Sequence, residues 1–336
     1  MIVAATMART SAAEYKIRYE FIRRLLALRG AKPVRLVNTK DLSTPPLKFE
    51  FINQYIYREG VHQPDPGTVE GCVSCRENMG AACGCEYTKL CECLEYAEVN
   101  VSKLTEGERV KLDKITRQGG STLGLPKRFP YSREQGILVT AYLDSRYPIY
   151  ECNERCICGP ICKTRMVQHG RQVGLEIFKT ATRGWGLRCT EGLRRGQFID
   201  VYHGEIVTKE VANGRLEAAG KGKESYLFQL DKFDQVLEGR GALYEVDGEY
   251  FGGPTRFINH SCEPNCRQYV VSYNKNDPYL YDIAFFAIRD IPPFEELTFD
   301  YLDYDGAADE DGAKEEAADS IPCRCGAEQC RKWLWK

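Results

Sequence analysis

Two stretches of the chain decide its fold. Residues 256–266 read Arg-Phe-Ile-Asn-His-Ser-Cys-Glu-Pro-Asn-Cys, and residues 296–301 read Glu-Leu-Thr-Phe-Asp-Tyr. In the first stretch an apolar pair runs into a polar cluster and a proline turn, which predicts a buried strand that delivers its polar side chains into one small volume. In the second, Leu297, Phe299 and Tyr301 alternate with polar residues at strand period, so their side chains share one face and could line a slot. A polar and aromatic site between strands is therefore expected.

The composition is that of a globular protein with a core. The chain has 336 residues, of which 43% are hydrophobic, enough for one large domain or two ordinary ones. Its net charge of −2 gives no general attraction to nucleic acids or membranes, so a partner must be recognised by a local site. The sequence shows no signal peptide and no apolar stretch long enough to cross a bilayer. We therefore expect a soluble intracellular protein with no membrane attachment.

Around the two stretches, short strand patterns follow one another from residue 173 onward, separated by turn signals. They cover residues 175–178, 186–188, 198–202, 205–207, 226–230, 244–246, 266–271, 281–287 and 296–299. A helical pattern covers residues 209–219. The sequence therefore predicts a mostly-β domain built of several small sheets.

The segments outside this domain have other patterns. Residues 1–10 look disordered, and the capping box Ser11-Ala-Ala-Glu14 predicts the start of one amphipathic helix that ends before Gly30. Residues 33–70 combine strand-like runs with prolines, which predicts an extended segment that wraps another domain. Residues 94–150 predict a loop with only residues 136–142 strand-like, and the acidic residues 303–320 have the composition of a flexible linker.

The cysteines indicate metal binding. Sixteen cysteines in an intracellular chain are unlike a disulfide framework, and Cys-x-Cys pairs would strain a disulfide. Zinc takes four thiolates, and the spacings are too dense for well-separated sites, so three zinc ions could share nine cysteines if three thiolates bridge two ions each. One cysteine is then spare, with Cys83 preferred over Cys85. The ten candidates are Cys72, Cys75, Cys83, Cys85, Cys91, Cys93, Cys152, Cys156, Cys158 and Cys162.

A second group lies near the end of the chain. Cys323, Cys325 and Cys330 supply only three thiolates, and Cys262 in the first stretch is the natural fourth. Such a zinc site would fold the tail back over the strands and bring Trp335 near the site. Cys189 and Cys266 are interpreted as ordinary packed residues.

Several motifs in this order resemble the SET-domain protein lysine methyltransferases. The resemblance is to the group with cysteine-rich pre-SET and post-SET segments that modifies lysine 9 of histone H3, in its fungal type without a chromodomain. The motifs are Tyr150-Glu-Cys-Asn, Arg183-Gly-Trp-Gly186, Tyr202-His-Gly-Glu205, Tyr226-Leu-Phe, residues 256–262, residues 296–301 and the terminal cysteines. They span about four fifths of the chain.

The resemblance implies a fold and a division of the chain. It implies a SET fold of several small sheets with a knot-like C-terminal crossing, flanked by a zinc-cluster pre-SET segment and a zinc-binding post-SET tail. The expected divisions are an N-terminal helix and wrapping segment (1–70), the pre-SET cluster (71–165), the SET domain (166–302), an acidic linker (303–320) and the post-SET tail (321–336).

The resemblance also implies S-adenosylmethionine as cofactor. Its binding residues would be Gly184, Trp185, Gly186, Tyr226, Arg256, Phe257, Asn259 and His260, with Trp335 closing over them. Backbone groups of a glycine-rich turn and the Asn-His pair can bind the polar parts of the cofactor, and aromatic rings favour a sulfonium cation.

By the same resemblance, Tyr301 and Tyr202 flank the transferred methyl group and orient the lysine amine. Phe299 lies where a tyrosine would favour monomethylation, so a phenylalanine predicts di- and trimethylation. The histone H3 tail would add as an extra strand, with Asp231 a candidate to receive the arginine before the target lysine. The implied setting is nuclear chromatin, with heterochromatin formation and gene silencing as the outcome.

Two alternatives stay open: the same chemistry on another histone or non-histone lysine, and an inactive zinc scaffold that binds chromatin. A sequence-specific DNA binder is not expected, because the four histidines show no zinc-finger spacing and the net charge is not basic. The segment Ala8-Arg-Thr-Ser-Ala-Ala-Glu-Tyr-Lys16 begins like the histone tail, which raises the hypothesis of an autoinhibitory or self-methylated Lys16.

Overall fold

A computed structural model describes residues 2–76, 89–132, 136–220, 225–233, 242–302 and 321–335. Within these residues the chain forms four α-helices: α1 (Ile2–Leu25), α2 (Glu106–Gln118), α3 (Thr140–Ser145) and α4 (Lys209–Ala219). The strands are β1 (Val34–Val37), β2 (Glu50–Phe51), β3 (Ile56–Tyr57), β4 (Ile149–Tyr150), β5 (Leu175–Lys179), β6 (Trp185–Cys189), β7 (Phe198–Val201), β8 (Glu205–Thr208), β9 (Leu227–Gln229), β10 (Tyr244–Asp247), β11 (Phe251–Gly252), β12 (Asn259–His260), β13 (Cys266–Ser272), β14 (Asp282–Ala287), β15 (Thr298–Phe299), β16 (Ile321–Pro322) and β17 (Trp333–Trp335).

The strands form several small sheets, as the sequence predicts. Three larger sheets have the strand orders β1-β5-β6, β3-β8-β10-β9 and β4-β13-β14-β7, and the remaining strands form two-stranded pairs. In the last of the larger sheets, β13 and β14 run antiparallel over six residue pairs. The inner faces of these sheets meet in one apolar cluster that includes Leu175, Ile199, Val246, Phe285 and Leu297.

The two stretches that open the sequence argument lie side by side. Strand β12 pairs in parallel with β15, with Asn259 opposite Thr298 and His260 opposite Phe299. Before β12 the chain makes a short 3-10 turn at Pro254–Phe257, so the apolar pair of this stretch approaches the site from a turn and not in the buried strand that the sequence predicts. The proline at the start of the turn fixes its backbone angle and lacks the N–H that a sheet partner needs.

The N-terminal segment wraps the strand domain, as predicted. Its three strands each join a different sheet, with β1 beside β5, β2 beside β11 and β3 beside β8. When a strand joins an existing sheet, backbone N–H and C=O groups of the added strand and of its neighbour gain hydrogen-bond partners. This segment therefore belongs to the folded body.

Helix α1 corrects the prediction for the first ten residues. The helix begins at Ile2, so residues 2–10 are helical and not disordered, and the Ser11 box lies inside the helix and does not cap it. The stretch contains good helix formers and neither glycine nor proline, so nothing stops the helix from extending. Farther along, Phe21 and Leu25 are buried in the main cluster. The histone-like segment ending at Lys16 lies within α1, and a helix cannot present the extended backbone that strand addition requires.

The prediction of a loop at residues 94–150 is wrong. Helix α2 begins with a complete capping box, in which Thr105 and Glu108 exchange hydrogen bonds, and Gly119 caps its C-terminal end. None of its residues is buried, so the apolar pattern that reveals most helices is missing from it. Helix α3 covers part of the run predicted as a strand, where Tyr142 and Leu143 are buried.

No described helix combines the length and the apolar character that a membrane span requires.

Candidate active site

Two cavities share part of their lining. The first has a volume of about 410 Å³ and the second about 580 Å³. Tyr226, Arg256 and Tyr301 line both of them. Two molecules bound in these cavities would thus approach each other at one place.

The wall of the first cavity is aromatic. The Phe299 ring centroid lies 4.7 Å from that of Tyr301 and 5.7 Å from that of Phe228, and the Tyr202 ring lies 4.5 Å from Phe228. All four line the cavity. Sequence reasoning named Tyr202, Phe299 and Tyr301 as site residues but assigned no role to Phe228, although the motif Tyr226-Leu-Phe contains it.

The two tyrosine hydroxyls of this wall are held by backbone carbonyls. Tyr202 Oη donates to the Tyr226 carbonyl at 2.8 Å, and Tyr301 Oη donates to the Ile258 carbonyl at 3.0 Å. Burial raises the pKa of Tyr202, so this phenol stays protonated. With their protons donated to carbonyls, the two oxygens present lone pairs to the cavity.

The second cavity is lined by seven of the nine residues predicted to bind the cofactor: Gly184, Trp185, Tyr226, Arg256, Phe257, Asn259 and His260. Gly184 has φ +67°, a conformation that glycine adopts without strain. Gly186 lies behind the wall, where a Cβ atom would stand 2.8 Å from Glu296 Oε1. The prediction for Trp335 concerns a side chain outside the described residues; its backbone belongs to β17.

The tail completes this cavity. Ile321, Pro322, Arg324, Cys325 and Leu334 line it from the tail side. The sequence predicts that the tail covers the site but indicates only Trp335 as a covering residue. The number of zinc ligands predicts where the tail attaches, but it does not predict which of its residues face the cavity.

Glu296 orients the polar residues of this cavity. Its carboxylate accepts hydrogen bonds from Asn259 Nδ2 at 2.8 Å and from Arg183 Nη2 at 2.6 Å. Asn259 Nδ2 also donates to the Trp185 carbonyl at 3.1 Å. Both amide hydrogens of Asn259 are thereby engaged, which leaves its carbonyl oxygen to accept from a ligand. The sequence pattern gives Glu296 no role of its own, because Glu296 stands there as one polar residue of an alternating strand.

His260 links the two stretches. Its Nδ1 accepts a hydrogen bond from the Tyr301 backbone N–H at 3.2 Å, and its Nε2 lies 3.4 Å from Cys262 Sγ. Burial lowers the pKa of His260 to about 4, against the opposing attraction of Asp300. The ring is therefore neutral, and its proton sits on Nε2, facing the thiol.

Arg256 occupies the junction of the two cavities. Its guanidinium lies 4.2 Å from the Tyr226 ring centroid and 4.4 Å from that of Phe49, and its Nε donates to the Gly248 carbonyl at 2.9 Å. Cation–π attraction to these two rings holds the guanidinium in position, with no carboxylate taking part in these contacts. Phe49 from the wrapping segment thus supports the site, a role that sequence reasoning did not give it.

The terminal cysteines meet as predicted. The sulfur atoms of Cys262, Cys323, Cys325 and Cys330 all lie within 4.8 Å of one another. Arg331 adds a second attachment, because its guanidinium donates to both Asp300 oxygens, once at 2.7 Å. Asp300 stands between Phe299 and Tyr301, so this ion pair ties the tail to the aromatic wall.

The pre-SET cysteines form a buried cluster. Cys72, Cys152, Cys156 and Cys158 make one group, and Cys72, Cys75 and Cys91 make another. Cys93 Sγ lies 3.2 Å from Cys156 Sγ, and Cys162 Sγ lies 3.8 Å from Cys152 Sγ. Cys72 belongs to both groups, which is the sharing that the ligand count calls for. The predictions for Cys83 and Cys85 lie outside the described residues.

Both clusters fit zinc. Four thiolates around a tetrahedral ion with Zn–S distances near 2.3 Å lie about 3.8 Å apart, which the Cys152–Cys162 and Cys262–Cys323 separations match. The fourteen described cysteines are all free of disulfides. Cys189 and Cys266 lie in the apolar core, as interpreted from the sequence.

Comparisons with known proteins agree with this geometry. A SET domain model matches residues 184–302, and a Pre-SET motif model matches residues 28–165. A Fusarium mangiferae protein named histone-lysine N-methyltransferase, H3 lysine-9 specific KMT1 is 40% identical over 320 residues, which cover 90% of this chain and 88% of that protein.

Solved structures have the same fold. One described as the structural basis for the product specificity of histone lysine methyltransferases has a TM-score of 0.69 at 35% identity and covers 90% of this chain and 100% of its own. KRYPTONITE in complex with mCHH DNA, H3(1-15) peptide and SAH has a TM-score of 0.61 at 26% identity, over 90% of this chain and 52% of that one.

Proposed function

Because the chain belongs to the SET-domain family of histone lysine methyltransferases, we propose that it transfers methyl groups from S-adenosylmethionine to lysine 9 of histone H3. The observation that carries this proposal is the meeting of two cavities at Tyr226, Arg256 and Tyr301. A cofactor in one cavity and a lysine side chain in the other would bring the methyl carbon and the amine nitrogen together. Alignment of two reactants is the main contribution that such a displacement needs from a protein.

When bound, S-adenosylmethionine would supply a methyl group carried on a sulfonium. The neutral amine of the lysine would attack the methyl carbon, so that the nitrogen–carbon bond forms while the carbon–sulfur bond breaks and its electron pair stays on sulfur. The product amine then loses a proton to solvent. Tyr301 and Tyr202 would orient the amine through their oxygen lone pairs, whose hydrogens are already bound to backbone carbonyls. Asn259, held by Glu296, would accept from the cofactor's ammonium group.

Phe299 supports a high methylation state. The ring is buried among Phe228, Phe285 and Tyr301 and carries no hydroxyl that would hold a water in the lysine cavity. We propose trimethylation as the end state, and with it a role in heterochromatin formation and gene silencing in the nucleus.

The peptide would bind along β9. Among the described strands, β9 lies at the edge of its sheet and pairs with β10 alone, and its residues line the lysine cavity. Strand addition at such an edge gives a peptide a row of backbone hydrogen bonds. Asp231 lines the same cavity just beyond β9, where it could pair with the arginine before the target lysine. Direct sequence-specific DNA binding is not part of the proposal.

Zinc would hold the two flanking segments. We propose three ions in the pre-SET cluster and one in the tail, where Cys262, Cys323, Cys325 and Cys330 would complete a four-thiolate site. The role of zinc here is structural, since four protein ligands leave no open position for substrate.

The test is a methyltransferase assay on a panel of histone peptides, each paired with a version in which the target lysine is alanine. Transfer to the H3 peptide that disappears with the lysine 9 replacement is the expected result. Tyr301→Phe should lower kcat by at least about a hundredfold with little change in cofactor affinity, because the hydroxyl acts at the reacting atoms.

Two other outcomes would replace the proposal. Transfer to a different lysine with none to lysine 9 would keep the chemistry and change the substrate. A zinc-loaded protein that binds S-adenosylmethionine and H3 peptide but transfers to nothing would be a chromatin-binding scaffold. Metal analysis should give about four zinc ions per chain, and a value near two would refute the shared-thiolate count.

A further inference from the structure

Helix α1 presents apolar side chains to solvent on a side that does not face the core. Its core-facing side carries Phe21 and Leu25, which are buried in the main cluster. On a different side, Tyr19 and Leu26 remain 72% and 78% exposed. The packing of α1 on the strand domain therefore leaves part of its apolar surface uncovered.

The exposed side chains follow a heptad spacing. Tyr15, Tyr19, Ile22 and Leu26 are separated by four, three and four residues, the spacing of the a and d positions of a coiled coil. At about 100° per residue they fall within about 60° of one another and form one row, here called the α1 stripe. The Leu26 N–H donates to the Ile22 carbonyl at 3.3 Å, so the row keeps its helical path to its end. A row of exposed apolar side chains with this spacing suits packing against a second helix.

Basic residues border the α1 stripe on both sides. Lys16 and Arg23 occupy the e positions of the same heptads, and Arg18 occupies a g position. Arg18 Nη1 is shielded from solvent and has no hydrogen-bond partner among the described residues. Arg23 pairs with Glu20 at 2.8 Å, but at the surface such a pair contributes little and can be exchanged for another. The borders of the stripe therefore complement acidic side chains.

We propose that the α1 stripe is a docking site for an amphipathic helix of another protein, one with apolar residues at its a and d positions and Asp or Glu at its e and g positions. The two cavities have no lining residue from α1 among the described residues, so this helix would bind outside the candidate active site. The stripe would thus connect the chain to a second protein while the cavities stay open.

Two other occupants match the stripe less well. In a pair of identical copies, whether parallel or antiparallel, the basic residues at positions e and g would face basic residues of the other helix, and like charges there are destabilising. A helix that lies in a membrane surface buries a broad apolar face. The second apolar side of α1, with Phe21 and Leu25, is already packed against the protein, which leaves only the narrow stripe.

The experiment uses a designed acidic peptide of about four heptads, with Leu at a and d and Glu at e and g. Its binding to the whole zinc-loaded chain is followed by fluorescence anisotropy of a label on the peptide. We expect saturable binding, and Ile22→Ser should raise the dissociation constant at least about tenfold. Ile17→Ser is the matched control, because Ile17 is 40% exposed against 39% for Ile22 but lies about 140° round the helix. It should change the dissociation constant less than about twofold.

A charge exchange tests the borders of the stripe. The double variant Lys16→Glu, Arg23→Glu should lose the acidic peptide and bind a peptide of the same design with Lys at e and g, because the exchange restores opposite charges. A thermal unfolding midpoint and zinc content equal to those of wild type show that each variant is folded.

Four results would overturn the inference. Wild-type protein may not be saturated by about 1 mM acidic peptide, or Ile17→Ser and Ile22→Ser may weaken binding equally. Dimerisation in sedimentation velocity that Ile22→Ser abolishes would assign the stripe to a second copy of this chain. Co-sedimentation with phosphatidylserine vesicles that the same substitution abolishes, without binding of the peptide, would assign the stripe to a membrane surface.

Discussion

The strand domain and the cysteine-rich segments that flank it are held together by different interactions. The main cluster of the strand domain is built from aliphatic and aromatic side chains such as Leu175, Ile199 and Phe285. Among the described residues, the pre-SET cluster has eleven buried members, of which eight are cysteines. An apolar core gains stability from the burial of area, whereas a thiolate cluster gains it from a metal that the unfolded chain cannot bind in the same way. The strand domain and the cysteine-containing tail both line the cofactor cavity, so this cavity is complete only when both are folded.

Removal of zinc should have the largest effect. Structural zinc sites are worth about 10–16 kcal/mol each, so a chelator should unfold the tail and the pre-SET cluster and abolish methyl transfer. The sheet that contains β13 and β14 should still exchange its amide hydrogens slowly, because none of the cysteines proposed to bind zinc lies in its strands. The measurement is hydrogen exchange followed by mass spectrometry, alongside the transfer assay. Full activity in a chelated, zinc-free protein would show that the tail is dispensable.

A substitution in the apolar core of the strand domain should have a smaller effect than the removal of zinc. Leu175 is fully buried in β5, and Leu175→Ala should lower the free energy of unfolding by about 2–5 kcal/mol through lost contacts and a cavity. Zinc content should stay at the wild-type value, because the thiolate clusters are separate from this core. Thermal unfolding and metal analysis of the same sample check the two statements, and a loss of zinc in this variant would mean that the regions fold as one unit.

The smallest effect should come from the contact between the two regions. Arg331→Ala removes the two hydrogen bonds from the guanidinium to the Asp300 carboxylate but keeps all four cysteines of the zinc site. Zinc should therefore remain bound, while the tail closes less firmly over the cofactor cavity. We expect about a tenfold rise in the dissociation constant of S-adenosylmethionine, in line with one charged hydrogen-bonded pair. Calorimetric titration measures it. Arg331→Lys keeps the positive charge but loses the paired hydrogen bonds, so its dissociation constant should lie between those of wild type and Arg331→Ala. Equal affinity in all three proteins would assign tail closure to zinc alone.

The sequence predicts the strand domain better than the rest, for a physical reason. Strands such as β5 and β14 have alternating or continuous apolar residues because one or both faces are buried, and helix α4 matches its predicted range because Thr208 and Gly220 cap it. Helix α2 was missed because it buries no residue and depends on its capping box. Prediction from the spacing of buried apolar residues cannot detect a helix that buries no residue.

The sequence also predicts some residues of the site better than others. Asn259, His260, Phe299 and Tyr301 stand in motifs whose chemistry is visible in the sequence, and the structure brings them together. Glu296 contacts residues far from it in the chain, and in the sequence it is only one polar position in a strand. The pairing of β12 with β15 brings that part of the chain beside Asn259, which Glu296 contacts.

The meeting of two cavities at three residues also has a kinetic consequence. A cofactor in the second cavity would lie on the other side of Tyr226, Arg256 and Tyr301 from a peptide in the first, so the two molecules would occupy separate cavities. Exchange of cofactor from its own side would then not require the peptide to dissociate. An enzyme arranged in this way can add successive methyl groups during a single encounter with its substrate, and the number added depends on whether the next transfer is faster than peptide release.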